Sequence, residues 1–342
     1  MRLGVIWEPQ KVNAIYRALL PMKALGERGH EVLWPPGEDT GAPMRELSRC
    51  DLVHCFRSFA RYDDLERLSR RGVAISFDND DDFSASDVSL TDGKMSTGLR
   101  GRRSNQEKAR SIAKAVRLSD LATTPSPVLA ESYRALGARH VAVIENHLER
   151  TMVGFGYRAK HEGIVVGWVA GSEHAADLAV LPFVDALARL LDRHAQLRVI
   201  SIGVRLPLRS ARYEHREGVL YNEILRATGG IDIGIAPLAD TRFNRARSSV
   251  KLKEYASGGA AWLASPVGPY RELGEHEGGR LVADDGWYEA LDQLILSGRQ
   301  RKRLARRALR WAKAQTIDHL AHIWESEFEG AIERAGTRSS PV

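Results

Sequence analysis

The chain has 342 residues, of which 43% are hydrophobic and 27% charged, so it is long enough for two globular domains and too apolar for a disordered protein. Its net charge of +6 favours anionic ligands, whether nucleotide diphosphates, phospholipid surfaces or nucleic acid. No apolar run approaches the roughly 20 residues that span a bilayer, and the sequence opens on a strand rather than on a secretion signal, so we expect a cytoplasmic protein without a transmembrane segment.

The first half of the sequence alternates predicted strands and helices. Residues 3–7 form the first predicted strand, residues 13–29 the first helix and residues 31–34 the second strand, a spacing typical of parallel strands joined by a crossover helix. The alternation continues with strands at 52–56, 73–77, 121–123 and 141–144 and with helices at 62–71 and 107–118.

A polar segment interrupts this pattern at residues 84–103. It is rich in Gly and has little apolar periodicity, which predicts a mobile surface loop. Arg100, Arg102 and Arg103 lie in this loop on the side where an acceptor would dock. The competing interpretation is that these arginines are simply solvated.

A second round of alternation follows a charged segment, residues 148–162, which we interpret as a linker. The elements predicted after it are strands at 164–168, 197–202, 219–221, 231–236 and 262–264 and a helix at 179–195. A basic helix at 298–313 either faces solvent or contacts a membrane surface. The final helix at 317–335 is expected to pack back on the first domain.

The sequence therefore predicts an α/β protein with two Rossmann-like, doubly wound domains, 1–155 and 160–316. Such sheets bind ligands beyond the carboxyl ends of their strands, here in a cleft between the domains.

The most informative segment is residues 243–259, which follows a predicted strand and begins a helix. Ser248, Lys251 and Glu254 are spaced by three and therefore share one face of that helix. A helix start offers free amides and a partial positive charge, worth about 0.3–1 kcal/mol per favourable charge, and Arg247 and Lys251 add full charges. This predicts a binding site for a diphosphate. Glu254, whose carboxylate only accepts hydrogen bonds, could bind a pair of ribose hydroxyls. The competing interpretation of Lys251 and Glu254 is an intrahelical ion pair.

This segment resembles a known family. The pattern Asn-x-x-x-Ser-x-x-Lys-x-x-Glu-Tyr, from Asn244 to Tyr255, and the Ser-Pro-x-Gly turn that follows it are similar to a branch of the group-1 retaining glycosyltransferases of GT-B fold. Segments 28–32, 119–124, 144–146 and 164–177 resemble other parts of that fold, so the likeness covers most of the chain. The resemblance implies that Glu254 binds the donor ribose and that Lys251 and Arg247 neutralise the leaving diphosphate.

The resemblance also implies the position of the rest of the donor. Gly171 and Ser172 would lie beside its phosphates, with His174 and Asp177 nearby. The base would lie against the backbone around Gly203 and residues 219–222. The predicted donor-binding set is Asn244, Arg247, Ser248, Lys251, Glu254, Gly171, Ser172 and His174, with Lys251, Arg247 and Glu254 as its catalytic members.

The implied activity is transfer of a sugar from a nucleotide-diphosphate sugar to an acceptor hydroxyl with retention of configuration. The acceptor would be a small molecule, a lipid carrier or a glycan. Cleavage of the sugar–phosphate bond builds negative charge on the diphosphate, which fixed cations stabilise, so we expect no essential metal or other cofactor. The basic surface keeps open a peripheral membrane contact and, as a second hypothesis, transfer to a hydroxylated DNA base.

Departures from the family pattern keep other hypotheses open. Many relatives carry a second glutamate eight positions before Glu254, where this chain has Ala246. The donor loop has His174 in place of the Arg and Lys of many relatives, and residues 8–11 replace a Gly-Gly loop. These differences allow a catalytically degraded nucleotide-sugar-binding protein, and a sugar-nucleotide epimerase of the same fold is a further alternative.

The acidic run Asp78–Asp82 follows a predicted strand. It lacks the glycine and the terminal glutamate of a calcium loop, so no metal site is expected. Asp78 either contacts the sugar or acceptor or belongs to a polar loop with helix-capping aspartates. His54, late in a strand, is either an acceptor-side residue or a satisfied core histidine, and Cys50 and Cys55 are expected to be reduced core thiols.

Overall fold

The computed structural model describes residues 1–7, 12–37, 39–58, 61–86, 89–91, 94–154, 161–218 and 221–338. The chain divides into two compact units. The first unit comprises Met1–His147, Ala246–Ser248 and Ile317–Val342, and the second comprises Leu148–Arg245 and Ser249–Thr316.

The strands are short, as expected for an α/β protein. They are β1 (Arg2–Ile6), β2 (Glu31–Leu33), β3 (Leu52–Phe56), β4 (Ala74–Asp78), β5 (Ser89–Thr91), β6 (Lys94–Ser96), β7 (Leu121–Thr124), β8 (Val141–Val143), β9 (Ile164–Ala170), β10 (Leu197–Gly203), β11 (Tyr213–Arg216), β12 (Ile233–Ala236), β13 (Ala261–Ala264) and β14 (Gly279–Leu281).

Helices separate most of these strands. They are α1 (Val12–Ala14), α2 (Leu20–Glu27), α3 (Met44–Leu47), α4 (Tyr62–Arg70), α5 (Gly98–Leu118), α6 (Pro127–Ala135), α7 (Ala175–Val180), α8 (Phe183–Arg193), α9 (Ile224–Thr228), α10 (Arg242–Arg245), α11 (Val250–Ser257), α12 (Trp287–Leu296), α13 (Gly298–Ala314) and α14 (Ile317–Arg338). A π-helical turn, Ile15–Leu19, joins α1 to α2.

The first unit is built on a six-stranded sheet in the order β2-β1-β3-β4-β7-β8. All of its strand pairs are parallel, and the chain order reverses between β1 and β3. Helix α14 packs on this sheet and on α2, and buries Trp324 and Phe328 completely. The separate pair β5–β6 is antiparallel.

The second unit has a six-stranded parallel sheet in the order β11-β10-β9-β12-β13-β14. Counted within the unit, this is the order 3-2-1-4-5-6 of a Rossmann sheet. Both faces are buried: Val166 and Trp168 pack in one hydrophobic cluster, and Val165 packs in another. Burial on both faces explains why β9 reads as a continuous apolar run in the sequence. The predicted class, α/β with two Rossmann-like doubly wound domains, is confirmed.

Several local predictions were wrong. Residues 98–103 are not loop, because α5 begins at Gly98 and its first turns contain Arg100, Arg102 and Arg103. Residues 221–223 form a 3₁₀ turn instead of the end of a strand, and residues 219–220 lie outside the described residues. β11, with half-buried side chains, was not predicted, because an edge strand of this kind has no apolar alternation.

The predicted linker contains ordered structure. Arg150–Met152 is a 3₁₀ turn, and the Leu148 amide donates to the Gln315 carbonyl at 2.8 Å. Residues 155–160 of this segment lie outside the described residues. In the part of the chain that the structure describes, no helix is both long and apolar enough to cross a membrane.

Candidate functional site

The predicted donor loop lies where the strand order of the second sheet reverses. Gly171 and Ser172 directly follow β9, and β12 is its neighbour on the other side of the reversal. In open α/β sheets, ligands bind beyond the carboxyl ends of the strands at this switch point. Gly171 is exposed and Ser172 is half-buried, so the loop is accessible to a ligand.

The side chain of Tyr255, on α11, bridges β9 and β12 through its hydroxyl. Its hydroxyl accepts a hydrogen bond from the Val169 amide at 2.9 Å and donates one to the Ile235 carbonyl at 3.0 Å. Gly234 makes room for the ring, because a Cβ there would overlap it. Burial raises the pKa of Tyr255, which keeps the hydroxyl protonated. The Glu-Tyr end of the sequence motif therefore fixes α11 to the switch point.

Glu254 stands next to Tyr255 and is 5% exposed. Burial raises the pKa of Tyr221, and the negative charges of Glu149 and Glu254 raise it further, which places Glu254 in the electrostatic surroundings of Tyr221. The Tyr221 hydroxyl lies 3.0 Å from the Met152 sulfur. The charge of Glu254, the residue predicted to bind the ribose, therefore acts on a residue of the predicted base-binding segment, 219–222.

Asp177 is the centre of a buried polar cluster beside the donor loop. Its Oδ2 accepts from His174 Nδ1 at 2.8 Å, and its Oδ1 accepts from the Ala239 amide at 2.9 Å and from Asn244 Nδ2 at 2.6 Å. Asn244 also donates to the Ala239 carbonyl at 2.9 Å. Because His174, Asp177 and Asn244 are each at most 5% exposed, this cluster joins the loop after β9 to the turn after β12.

The carboxylate of Glu173 lies over Gly171, where a Cβ would overlap it. Glu173 Oε1 is 3.8 Å from His174 Nε2, and the Glu173 side chain is 30% exposed. An acid in this position repels a diphosphate at close range. Sequence reasoning passed over Glu173, although it stands between two predicted donor residues.

The Ser-Pro-x-Gly turn closes on α10. Gly268 has φ of +56°, and a Cβ on it would lie 2.8 Å from the Asn244 carbonyl oxygen and 2.9 Å from the Arg245 Cα, so glycine is required by both conformation and space. Ser265 Oγ accepts from the Leu238 amide at 3.0 Å. The turn therefore holds the segment that carries Asn244.

The remaining motif residues are divided between the units. Lys251 is half-buried in the first turn of α11, in the second unit. Arg247 and Ser248 belong to the first unit, where Ser248 Oγ accepts from Asn146 Nδ2 at 3.1 Å. Ala246, where many relatives have a glutamate, is fully buried in the hydrophobic cluster of the first unit. A carboxylate at Ala246 would be desolvated, so the departure from the family pattern changes the surroundings as well as the residue.

Asp78 and Arg17 form a wholly buried ion pair at the carboxyl edge of the first sheet, with Arg17 Nη2 2.6 Å from Asp78 Oδ2. Thr123 also donates to Asp78, and Arg17 Nη1 donates to the Ile144 carbonyl and, at 3.1 Å, to Asn146 Oδ1. Asp78 therefore has no exposed atom with which to make the predicted contact to a sugar or acceptor. Its oxygens are occupied by protein partners.

His54 is a satisfied core histidine. Its Nε2 donates to the Arg17 carbonyl at 2.9 Å, and its Nδ1 accepts from the Ser76 hydroxyl at 3.0 Å. Pro21 explains this bond, because it has no N–H to give to the carbonyl four residues earlier, which is that of Arg17. Burial lowers the pKa of His54, so the neutral ring is favoured. Of the two interpretations of His54, the structure supports the core one.

The acidic run is neutralised by Arg57, whose guanidinium donates to Asp80 and Asp81. Arg57 itself has φ of +55°, an unfavourable conformation for a residue with a side chain. Burial raises the pKa of Asp80 to about 6, against the opposing effect of Arg57. Asp82 caps the 3₁₀ turn that follows, accepting from the Ser84 amide at 3.1 Å.

Among the described residues, no group of three or more His, Cys, Asp or Glu side chains is arranged to hold a metal ion.

Arg100, Arg102 and Arg103 are exposed on the first turns of α5. With 21 residues, α5 is about 31 Å long, whereas a five-residue strand spans about 17 Å. The helix ends just before β7, so its first turns extend past the carboxyl edge of the sheet. Its surface carries a depression of about 540 Å³. The residues that line this depression are Leu99, Arg102, Arg103, Gln106, Glu107 and Arg110.

The sequence matches no protein-family profile and no curated protein. Among solved structures, the fold is similar to HepE of Anabaena in complex with UDP-glucose, at 15% identity over 95% of this chain and 99% of that one, with a TM-score of 0.66. It is also similar to sucrose-phosphate synthase of Thermosynechococcus elongatus, at 12% identity over 96% and 98% of the two chains, with a TM-score of 0.65.

A third similar structure is an alpha-glucosyltransferase in complex with UDP-glucose and DNA containing an abasic site. The identity is 10% over 97% of this chain and 99% of that chain, and the TM-score is 0.63. The chain has the GT-B fold. At these identities the likeness establishes the architecture and not the reaction.

Sequence reasoning missed Arg17 and Arg57, which hold predicted residues in place, and Glu173, whose carboxylate lies over Gly171. A charged residue among the apolar positions of a predicted helix was the available signal for Arg17. No signal was available for Arg57, whose partners become visible only when β3 and β4 are paired.

Proposed function

We propose that this protein is a glycosyltransferase that moves a sugar from a nucleotide-diphosphate sugar to an acceptor hydroxyl. The observation that carries the proposal is the Rossmann-ordered sheet whose switch point is flanked by the Gly171-Ser172 loop and by α11. The similarity of the whole fold to HepE of Anabaena with UDP-glucose supports the same conclusion.

The donor site is assigned to the residues around this switch point. Glu254 binds the ribose hydroxyls, and the base lies toward Tyr221 and Gly203. Gly203 has φ of +92°, and a Cβ on it would lie 2.1 Å from the Ala170 carbonyl oxygen, so glycine is required at the end of β10. The diphosphate lies between the Gly171-Ser172 loop and the start of α11, where Lys251 stands. Asn244 and His174 orient the loop through Asp177.

Charge compensation is the main catalytic contribution in this proposal. As the sugar–phosphate bond breaks, negative charge grows on the diphosphate oxygen, and Lys251 and the preceding Arg247 stabilise it. The acceptor oxygen bonds to the anomeric carbon on the face that the diphosphate leaves, and its proton passes to the departing phosphate oxygen, so no protein base is required. This route retains the anomeric configuration and uses no metal ion. Both features are proposals, as is a cytoplasmic location.

The donor site is tested by a thermal-shift screen of UDP-, GDP-, ADP- and dTDP-sugars. A ligand that binds only the native protein raises the melting temperature, so we expect one nucleotide class to raise it and the Glu254→Ala variant to lose the effect. Slow release of nucleoside diphosphate from that donor, unaffected by a chelator, distinguishes an enzyme from a degraded binding protein. If no nucleotide sugar shifts the melting temperature, the assignment is wrong.

A second candidate acceptor is a hydroxylated base of DNA. The observation that favours it is the exposed depression on α5 with Arg102, Arg103 and Arg110, together with the similarity to the alpha-glucosyltransferase bound to DNA. Binding of DNA through phosphate contacts weakens steeply as salt rises. An acceptor affinity that is independent of salt would instead favour a small molecule, a lipid carrier or a glycan.

A further inference from the structure

Helix α13 concentrates the positive charge of the chain. It contains eight Lys and Arg residues and no Asp or Glu, whereas the whole chain has an excess of only six positive charges. Three of the eight are engaged by other groups of the second unit: Arg301 donates to the Ile295 carbonyl at 2.9 Å. Arg303 and Arg307 pair with Glu275 at 2.8 and 3.2 Å.

The other five cations are not engaged by any group in the described ranges. We name them the α13 row. Its members are Arg299, Lys302, Arg306, Arg310 and Lys313. All five are exposed, and none makes a hydrogen bond or an ion pair with any residue in the described ranges.

The α13 row is straight. Its members are spaced by three, four, four and three residues, so they share one face of the helix and extend over about 21 Å. The opposite face, with Leu304, Ala308 and Ala312, is buried, and α13 packs along α11. This packing holds the row at the protein surface, where its charge is available to an anionic surface.

The surroundings of the α13 row favour a lipid surface over nucleic acid. Leu296, just before the helix, is 62% exposed, and Leu309 is half-buried beside Arg310, so apolar side chains accompany the cations as in interfacial helices. The aromatic residue of α13, Trp311, packs against the core and is not presented for base stacking. Gln300, the amide of this helix, is engaged by Arg280 at 3.0 Å.

We propose that the α13 row is a docking surface for an anionic phospholipid bilayer. A Lys or Arg held close to an anionic leaflet strengthens binding by roughly fivefold, so five of them are enough for reversible attachment without any inserted segment. The attraction is screened beyond about 10 Å at 0.1 M salt. The proposal is independent of the proposed reaction, since it requires neither a donor nor an acceptor.

Sedimentation of the full chain with lipid vesicles tests this proposal. We expect binding to vesicles of phosphatidylcholine and phosphatidylglycerol, no binding to phosphatidylcholine alone, and loss of binding as salt rises. The triple variant Arg306→Gln, Arg310→Gln, Lys313→Gln should bind about 100-fold more weakly. The Arg306→Lys, Arg310→Lys variant keeps the charge and should bind nearly as well as the wild type.

The matched control changes the same number of exposed cations elsewhere. Arg45, Arg49 and Arg139 are exposed in the first unit, and their replacement by Gln should leave vesicle binding within a few-fold of wild type. Equal losses in both triple variants would mean that net charge, not the α13 row, drives binding. If the wild type does not bind anionic vesicles, or if the triple variant of the row loses binding to duplex DNA but not to vesicles, the proposal is wrong. The melting temperature of the same variants, measured with and without a nucleotide sugar, tests the donor assignment separately. Failure of the membrane proposal can therefore be told apart from failure of the donor assignment.

Discussion

The two sheets carry polar clusters at their carboxyl edges, but one cluster is closed and the other is open. In the first unit, Arg17 and Asp78 are wholly buried, and protein groups occupy their polar atoms. In the second unit, Asp177 is equally buried and equally satisfied, but it holds a loop whose Gly171 is exposed.

This difference separates two uses of a buried charge. A pair whose atoms are all occupied has nothing left for a ligand, so its contribution is to the fold of its own unit. A buried carboxylate that fixes an exposed loop can act on a ligand without touching it. We therefore expect changes at Arg17 to act on stability and changes at Asp177 to act on donor binding.

The largest expected effect is that of Arg17→Met. The substitution leaves the Asp78 carboxylate buried without its cation, which typically costs about 3–5 kcal/mol. We expect the free energy of unfolding of the first unit to fall by about this amount, measured by urea denaturation followed by circular dichroism. Adding Asp78→Asn removes the uncompensated charge and should restore part of the loss.

The control for Arg17→Met is Arg28→Met, which removes an exposed arginine that pairs with Glu325. Glu325 keeps its contact with His30, so stability should change little. A variant at Arg17 that unfolds like the wild type but no longer binds a nucleotide sugar would reverse our comparison of the two clusters.

The next effect, on both donor binding and stability, is expected for Asp177→Ala. It takes the shared acceptor from the Ala239 amide, from Asn244 and from His174, and a buried group left unsatisfied costs about 1–3 kcal/mol. The donor loop loses its anchor, and we expect nucleotide-sugar affinity, measured by calorimetry, to fall by about tenfold or more. Asp177→Asn keeps one oxygen and should be intermediate in both measurements.

Asp185 offers a matched control for Asp177 because it is an exposed aspartate of the same unit. Asp185→Ala should leave affinity and stability unchanged. Equal donor affinity in Asp177→Ala and in the wild type would show that the cluster only supports the fold, as the Arg17 pair does.

The alternation of strands and helices made the fold predictable, because both faces of each parallel sheet are buried and the strands read as short apolar runs. The first turns of α5 were not predictable in this way. They extend past the sheet, so their side chains have no apolar face and the segment around Arg100 resembles a loop in sequence. The edge strand β11 was missed for the same physical reason.

The candidate site was predictable only where its residues are close in sequence. Ser248, Lys251 and Glu254 could be read as one helix face, and the Gly171-Ser172 loop was found by its resemblance to a family. Asp177 and Asn244 are separated by 67 positions, and no local pattern in a single sequence indicates that two such residues meet. Burial of Asp78 and His54 depends on Arg17, Thr123 and α14, which converge on them only in the folded unit.

The smallest expected effect is that of Glu173→Gln, which addresses the open cluster directly. Glu173 places a carboxylate over Gly171, where the proposed diphosphate lies, and it is partly exposed, so water screens much of the repulsion. Removing the charge should tighten nucleotide-sugar binding by roughly two- to tenfold, measured by calorimetry at low salt, and the gain should shrink as salt rises. Glu162→Gln removes an exposed carboxylate of the same unit and serves as the control for net charge. Since neutralising an acid near a bound diphosphate can only strengthen binding electrostatically, weaker binding by Glu173→Gln would mean that this carboxylate contacts a donor hydroxyl and that the phosphates lie elsewhere.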